Sequence, residues 1–225
     1  MSNFKPAERL NSVQEYYFSR KLKEVAQLNA SGLDIISLAI GSPDMPPSRQ
    51  TVERLCEVAH NTSAHGYQPT MGTPELRQAM AGFYHRWYGV EIDAQTEVQP
   101  LIGSKEGILH ITLAFVNPGE EVLVPALTFI AAVNPVTRYI GAEPVFIGCD
   151  DSLCMDPAAA EDFCANHCTL RADGLYNNKT GARVAAIMVV HVFGNMADMP
   201  AFRRIAAKYH LVLMEDATEA LGTYY

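Results

Sequence analysis

Between residues 98 and 215 the chain alternates short apolar runs with segments of helical spacing. No other feature constrains its fold as strongly. Runs of strand length fall at 98–102, 121–125, 143–147, 184–190 and 211–215, and helix-periodic segments separate them at 104–116, 128–139, 156–165 and 199–209. Strands joined through helices form βαβ units, and these give a mostly parallel sheet covered by helices. The rhythm breaks only at 169–183, where Asp173-Gly174 and Thr180-Gly181 signal turns and predict a polar β-hairpin excursion. The expected class is therefore α/β.

Upstream, residues 12–30 have the spacing of an amphipathic helix. Residues 35–40 read as a short apolar strand or extended segment, stopped by Gly41-Ser42-Pro43-Asp44. Ser48 launches a helix carrying Val52, Leu55 and Val58. A Gly/Pro/Tyr-rich loop at 66–74 leads into a long helix from Pro74 through Trp87, ended by Gly89.

Composition excludes several classes. A net charge of −8 without any Lys/Arg run argues against a nucleic-acid partner. No apolar run approaches the ~20 residues of a membrane span. The start, Met1-Ser2-Asn3-Phe4-Lys5-Pro6, has no signal-peptide core, so the cytoplasm is the expected location and the sequons at Asn61 and Asn178 are read as chance. Five unevenly spaced cysteines suggest no disulfide framework. Cys164, His167 and Cys168 read as partly buried residues one helical turn apart rather than a metal site, because no second ligand pair follows. Neither Gly-x-Gly-x-x-Gly nor a phosphate loop ending in Gly-Lys-Ser/Thr occurs.

Four motifs carry chemistry. Gly103-Ser104-Lys105-Glu106-Gly107 follows a predicted strand and opens a helix, where free N–H groups and the helix dipole attract an anion. Ser104 is equally an N-cap on these residues alone. Phe129, after the next strand, is placed to cover a planar ligand or to fill the core. His191 ends a strand before Val192-Phe193-Gly194-Asn195; a hydrogen-bonded structural role suits it, and Asn195 either caps the next helix or faces a pocket. Asp216 closes the last strand, with Glu219 three residues on; a helical turn there puts both on one face, which is also a plain helix start. All four motifs fall at the carboxyl ends of successive parallel strands, where such sheets bind ligands. An anion cradle, an aromatic cover and an acid together suit pyridoxal phosphate, whose ring nitrogen needs a carboxylate.

The chain resembles the fold-type I pyridoxal-phosphate (PLP)-dependent aminotransferases over essentially its whole length. Residues 1 to about 124 resemble the class I/II amino-acid aminotransferases through Ile40-Gly41-Ser42-Pro43-Asp44, the run from Gly66-Tyr67 to Leu76-Arg77, and Gly103-Ser104-Lys105-Glu106-Gly107. From about 122 the chain is similar to DegT-type sugar-nucleotide aminotransferases through Val124-Pro125-Ala126-Leu127-Thr128-Phe129, Val190-His191-Val192-Phe193-Gly194 and Glu215-Asp216-Ala217-Thr218-Glu219-Ala220. The resemblance implies a three-layer large domain, incomplete at the C-terminus, over residues 51–225, preceded by an N-terminal arm and small-domain segment over 1–50. It implies that Gly103, Ser104 and Lys105 hold the phosphate, Phe129 stacks on the ring, Asp216 pairs with the ring nitrogen and Glu219 with the ring hydroxyl. Tyr67 matches a tyrosine that reaches the phosphate of the other subunit of a homodimer. Gly41 and His191 are the substrate-side candidates. The implied reaction moves an amino group from an amino-acid donor to a 2-oxo acid or a keto-sugar nucleotide.

In this family the Schiff-base lysine lies downstream of the Asp motif. Here Lys5, Lys21, Lys23, Lys105, Lys179 and Lys208 all precede Asp216. The sequence-level expectation is a truncated member that does not transaminate and associates through its uncovered sheet edge. The alternative is a non-catalytic binding protein of the same fold.

Overall fold

The computed structural model describes residue 5, residues 7–38, residue 41 and residues 44–224. Most of the Met1-to-Pro6 start, Ala39, Ile40, Ser42, Pro43 and Tyr225 lie outside the described residues. The chain divides into two compact units, Met1–Tyr67 and Gln68–Tyr225.

The first unit holds α1 (Tyr17–Ala30) and α2 (Arg49–Ala59). Ser48 caps α2, its hydroxyl accepting the Thr51 N–H at 3.2 Å. Neither helix buries a residue, so their cohesion comes from propensity and surface ion pairs such as Arg49–Glu53 at 2.6 Å, which contribute little each. Residues 35–38 are extended but join no ladder; the Asn29 side chain accepts the Ile35 N–H at 2.7 Å.

The second unit begins with α3 (Pro74–Tyr88), capped by Thr73 and closed by Gly89 in the left-handed region at φ 66°. Then come α4 (Ser104–Phe115), β1 (Glu121–Pro125), β2 (Glu143–Ile147), α5 (Pro157–Asn166), β3 (Cys168–Arg171), β4 (Gly174–Asn177), β5 (Arg183–Val190), α6 (Met199–Tyr209) and β6 (Val212–Asp216). Strands β2, β1, β5 and β6 lie side by side and parallel. The β3–β4 hairpin adds antiparallel to the first residues of β5, and β6 takes the rest of the same edge.

Alternation along buried strands divides the core into two layers. Leu123, Ile187 and Val189 face α5 and α6, with Phe202 of α6 packed among them. Val122, Val124, Ala186, Met188 and Val190 face the opposite way, with Ile108 of α4 and Val136. The result is the three-layer sandwich expected from the sequence.

The amino end of the sheet carries a polar network. Glu121, almost fully buried, accepts from Asn177 Nδ2 at 2.8 Å and Thr180 Oγ1 at 2.7 Å. Beside it Glu120 accepts from Arg183 at 2.7 Å and from the Asn117 N–H at 2.7 Å. Burial by itself raises the Glu120 carboxyl, but these donors outweigh it and hold the group below its ordinary value of 4.5. A depressed carboxyl stabilises the fold above the unfolded-state value, and that contribution disappears as pH falls through the folded-state value. The urea midpoint is therefore expected to drop on acidification below the ordinary glutamate range. Glu120→Gln should flatten that part of the profile; an unchanged acid limb would count against the network.

Two predicted elements differ. Residues 98–102 form no strand, and Ile102 is almost wholly exposed. A strand needs a neighbour to take its backbone groups, and no described strand borders this run. Residues 128–139 form not one helix but a 3₁₀ turn, Ile130–Ala132, followed by a wide π-type turn, Pro135–Ile140. Pro135 has no N–H to continue an α-helical ladder, and Ala132 and Val133 bond three residues back instead.

Candidate active site

The order β2-β1-β5-β6 makes the chain leave β1 in one direction for β2 and resume on its other side with β5. The carboxyl ends of β1 and β5 thus flank a topological switch point, where open parallel sheets form crevices. A cavity of about 250 Å³ lies there, with Ser104, Lys105, Phe129, Asp216, Thr218 and Glu219 in its walls.

Each wall has a local cause. Gly103 precedes α4 in extended conformation, and a Cβ built on it meets nothing within 4 Å, so the backbone stands open to a ligand. The N–H groups of Ser104 and Lys105 come before the first helical hydrogen bonds and have no intrahelical acceptor. Glu106 reaches back to the Ile102 N–H at 2.8 Å, which fixes the entry of the chain. Ser104 is therefore the first helical residue and not the cap. Lys105 has no carboxylate partner among the described residues; its Nζ sits 5.0 Å from the Phe129 ring centroid. Phe129 heads the 3₁₀ turn forced by Pro135 and is about half exposed, not a core residue.

Asp216 is the last residue of β6, in register with Val190. No helix follows it, contrary to the expected turn. Its carboxylate accepts both the N–H and the hydroxyl of Thr218, and such a local bond competes with helix formation. Asp216 and Glu219 share the cavity but not a helical face. Glu219 instead accepts the Phe193 N–H at 2.7 Å. Thr218 was missed at the sequence level, although Asp-x-Thr is a signal for this turn.

His191 is fully buried. Its Nδ1 accepts the Ala197 N–H at 3.1 Å, so the ring proton is on Nε2, which donates to Glu215 at 2.8 Å. Its backbone N–H reaches the Asp216 carbonyl at 3.1 Å. Asn195 bonds the Ser152 carbonyl at 2.8 Å and does not cap α6; Asp198 does. Gly41 and Tyr67 belong to the first unit, where both are exposed.

The cysteines split by environment. Cys154, Cys164 and Cys168 are buried, while Cys56 and Cys149 are exposed. Burial pushes the Cys164 thiol up to about 12 and Cys168 up to about 11. Ellman's reagent should therefore titrate two thiols quickly in the native chain and all five after unfolding; a fast third thiol would contradict the burial of Cys154, Cys164 and Cys168.

The profile of the DegT/DnrJ/EryC1/StrS aminotransferase family matches residues 105–225, and the chain belongs to that family. The LL-diaminopimelate aminotransferase of Moorella thermoacetica is 35% identical over 223 residues, covering 97% of this chain and 54% of that protein. The enzyme of the same name from Maridesulfovibrio salexigens is 47% identical over 144 residues, 64% of this chain and 37% of that protein. Among solved structures, BacF of Bacillus subtilis superposes with a TM-score of 0.71 at 26% identity, covering 96% of this chain and 53% of that one. The aspartate aminotransferase of Rhizobium meliloti does so with a TM-score of 0.73 at 20% identity, over 96% and 51%. The fold is that of the fold-type I aminotransferases, and the chain spans about half the length of these relatives.

Family members depend on pyridoxal phosphate. The donor set of the cavity fits that group in kind: helix-start N–H groups and the Lys105 ammonium for a phosphate, an aromatic face for a ring, and a carboxylate for a protonated ring nitrogen. Among the described residues no helix is long and apolar enough to cross a membrane.

Proposed function

We propose that this chain supplies the cofactor-binding part of a pyridoxal-phosphate-dependent aminotransferase, moving an amino group between an amino-acid donor and a 2-oxo acid. The convergence of Lys105, Phe129 and Asp216 on one cavity at the switch point carries the reading. The relatives described above are named for an amino-acid substrate, which favours a 2-oxo acid acceptor over the keto-sugar nucleotide suggested by the second half of the sequence.

In this reading Gly103, Ser104 and Lys105 bind the phosphate through backbone N–H groups and one ammonium. Phe129 covers a ring face. The Asp216 carboxylate, oriented by Thr218, holds a proton on the ring nitrogen. Ile108, Val190 and Val192 supply apolar walls that exclude water. Bound there, pyridoxal phosphate supplies the electron sink for charge developing at the α-carbon of the amino acid. Tyr67 and Gly41 serve the cofactor and substrate of a cytoplasmic homodimer, and the uncovered apolar residues of α1 and α2, such as Leu22 and Leu55, favour association.

Equilibrium dialysis of the chain against pyridoxal phosphate tests the reading. Saturable binding of one equivalent is expected, displaced by inorganic phosphate and much weaker for pyridoxal without the phosphate. Absence of saturable binding, or indifference to the phosphate group, would refute it.

A further inference from the structure

Resting on that reading of the cavity, we propose that Glu219 is a positioning residue, latching the strained Phe193-Gly194 turn that follows the Val192 wall of the cofactor site. The resemblance gives Glu219 a direct role on the ring hydroxyl, but the structure gives its carboxylate a different partner. Glu219 Oε2 accepts the Phe193 N–H at 2.7 Å, across 26 residues of sequence. Phe193 has φ 58° and Gly194 φ 82°. The left-handed region is uncommon for any side-chain-bearing residue and unfavourable for a bulky aromatic, so something must hold Phe193 there. A hydrogen bond to an ionised carboxylate is among the stronger single contacts available.

The surroundings show why the turn matters. Val192, one residue before Phe193, lines the cavity. His191, one residue earlier, donates its backbone N–H to the Asp216 carbonyl at 3.1 Å. The turn therefore joins the wall of the cavity to the strand end that presents Asp216. Gly194 is also close to the other side of the latch: a Cβ on it would approach the Glu219 carbonyl to 3.2 Å. The Phe193 side chain itself is 71% exposed, so burial of the ring contributes little to holding its backbone conformation. Release of the carboxylate frees the turn and loosens both the Val192 wall and the support of Asp216.

Two readouts on the full chain test this, one without cofactor. Phe193 is exposed enough for chymotrypsin, and cleavage after it requires the backbone to leave its held conformation. Glu219→Ala is expected to speed cleavage at this bond roughly fivefold, the effect of about 1 kcal/mol of lost local stability. Glu219→Gln keeps a carbonyl oxygen for the Phe193 N–H but loses the charge, and its cleavage rate should fall between the native and alanine rates. By equilibrium dialysis, Glu219→Ala should weaken pyridoxal phosphate binding roughly tenfold, with Glu219→Gln restoring part of it.

A Glu219→Ala/Phe193→Gly double variant should also recover affinity, because glycine adopts the left-handed conformation without strain. Native cleavage rates in Glu219→Ala would overturn the latch. Glu219→Gln with slower cleavage than Glu219→Ala but alanine-like affinity would overturn positioning in favour of direct contact with the cofactor. Failure of the double variant to recover would do the same. If the native chain binds no pyridoxal phosphate, the proposed function fails and takes the cofactor half of the inference with it; the cleavage comparison then decides the latch by itself.

Discussion

Asp216→Asn is expected to weaken pyridoxal phosphate binding by about 2 kcal/mol, roughly 30-fold, while leaving the fold intact. Asparagine retains an oxygen for the Thr218 N–H and hydroxyl, so the turn after β6 keeps its local bonds. What disappears is the negative charge, and with it the stabilisation of a protonated ring nitrogen. Asp216 is half-buried rather than sealed, so the effect belongs in the middle of the range for hydrogen bonds to charged groups. Equilibrium dialysis gives the affinity and a urea melt the stability. A variant that binds as tightly as the native chain would remove Asp216 from the site, whereas equal losses of stability and affinity would make it a structural residue.

Phe202→Ala is expected to destabilise the second unit by about 3–5 kcal/mol. Phe202 is wholly buried on the α6 face of the sheet, among Leu123, Ile187 and Val189. Its removal forfeits the transfer energy of the ring and leaves a void that close-packed neighbours fill only in part. Marginal stability makes this a large share of the total. Phe146→Ala provides the contrast: Phe146 is 58% exposed on β2, and its loss should cost within about 0.5 kcal/mol. Urea midpoints read at constant slope check both, and similar losses for the two would mean that α6 does not pack as described.

Legibility in the sequence followed the range of the forces involved. Strands β1 and β2 and helix α6 match the expected bounds residue for residue, because periodicity and turn residues are local signals. The Ser48 cap of α2 is local too, whereas the cap of α6 is Asp198 and not the expected Asn195. Residues 98–102 failed because an apolar run states that it can be a strand, not that a partner stands beside it. The 128–139 segment failed at one atom, the missing N–H of Pro135. In the site, the positions of Phe129 and Asp216 followed from the ends of β1 and β6, which the rhythm marks; Lys105 follows no strand and is placed by the start of α4. The hydrogen-bond partners of Glu219 and His191 within the chain did not follow, since Phe193 and Glu215 reach them only after β5 and β6 pair.

The polar network of Glu120 and Glu121 sits at the opposite end of β1 from the cavity. The strand is five residues long, so its two ends lie roughly 13 Å apart along extended chain. That separation gives the molecule independent controls for ruggedness and chemistry. Substitutions that tighten the amino rim, around Asn177, Thr180 and Arg183, can raise heat or acid tolerance without entering the region that handles the ligand. Variation in the loops after β1, β5 and β6 can redirect recognition at little cost to folding. A library confined to one rim should therefore yield variants that shift melting behaviour or ligand preference, but seldom both, which gives a practical route to diversifying this scaffold.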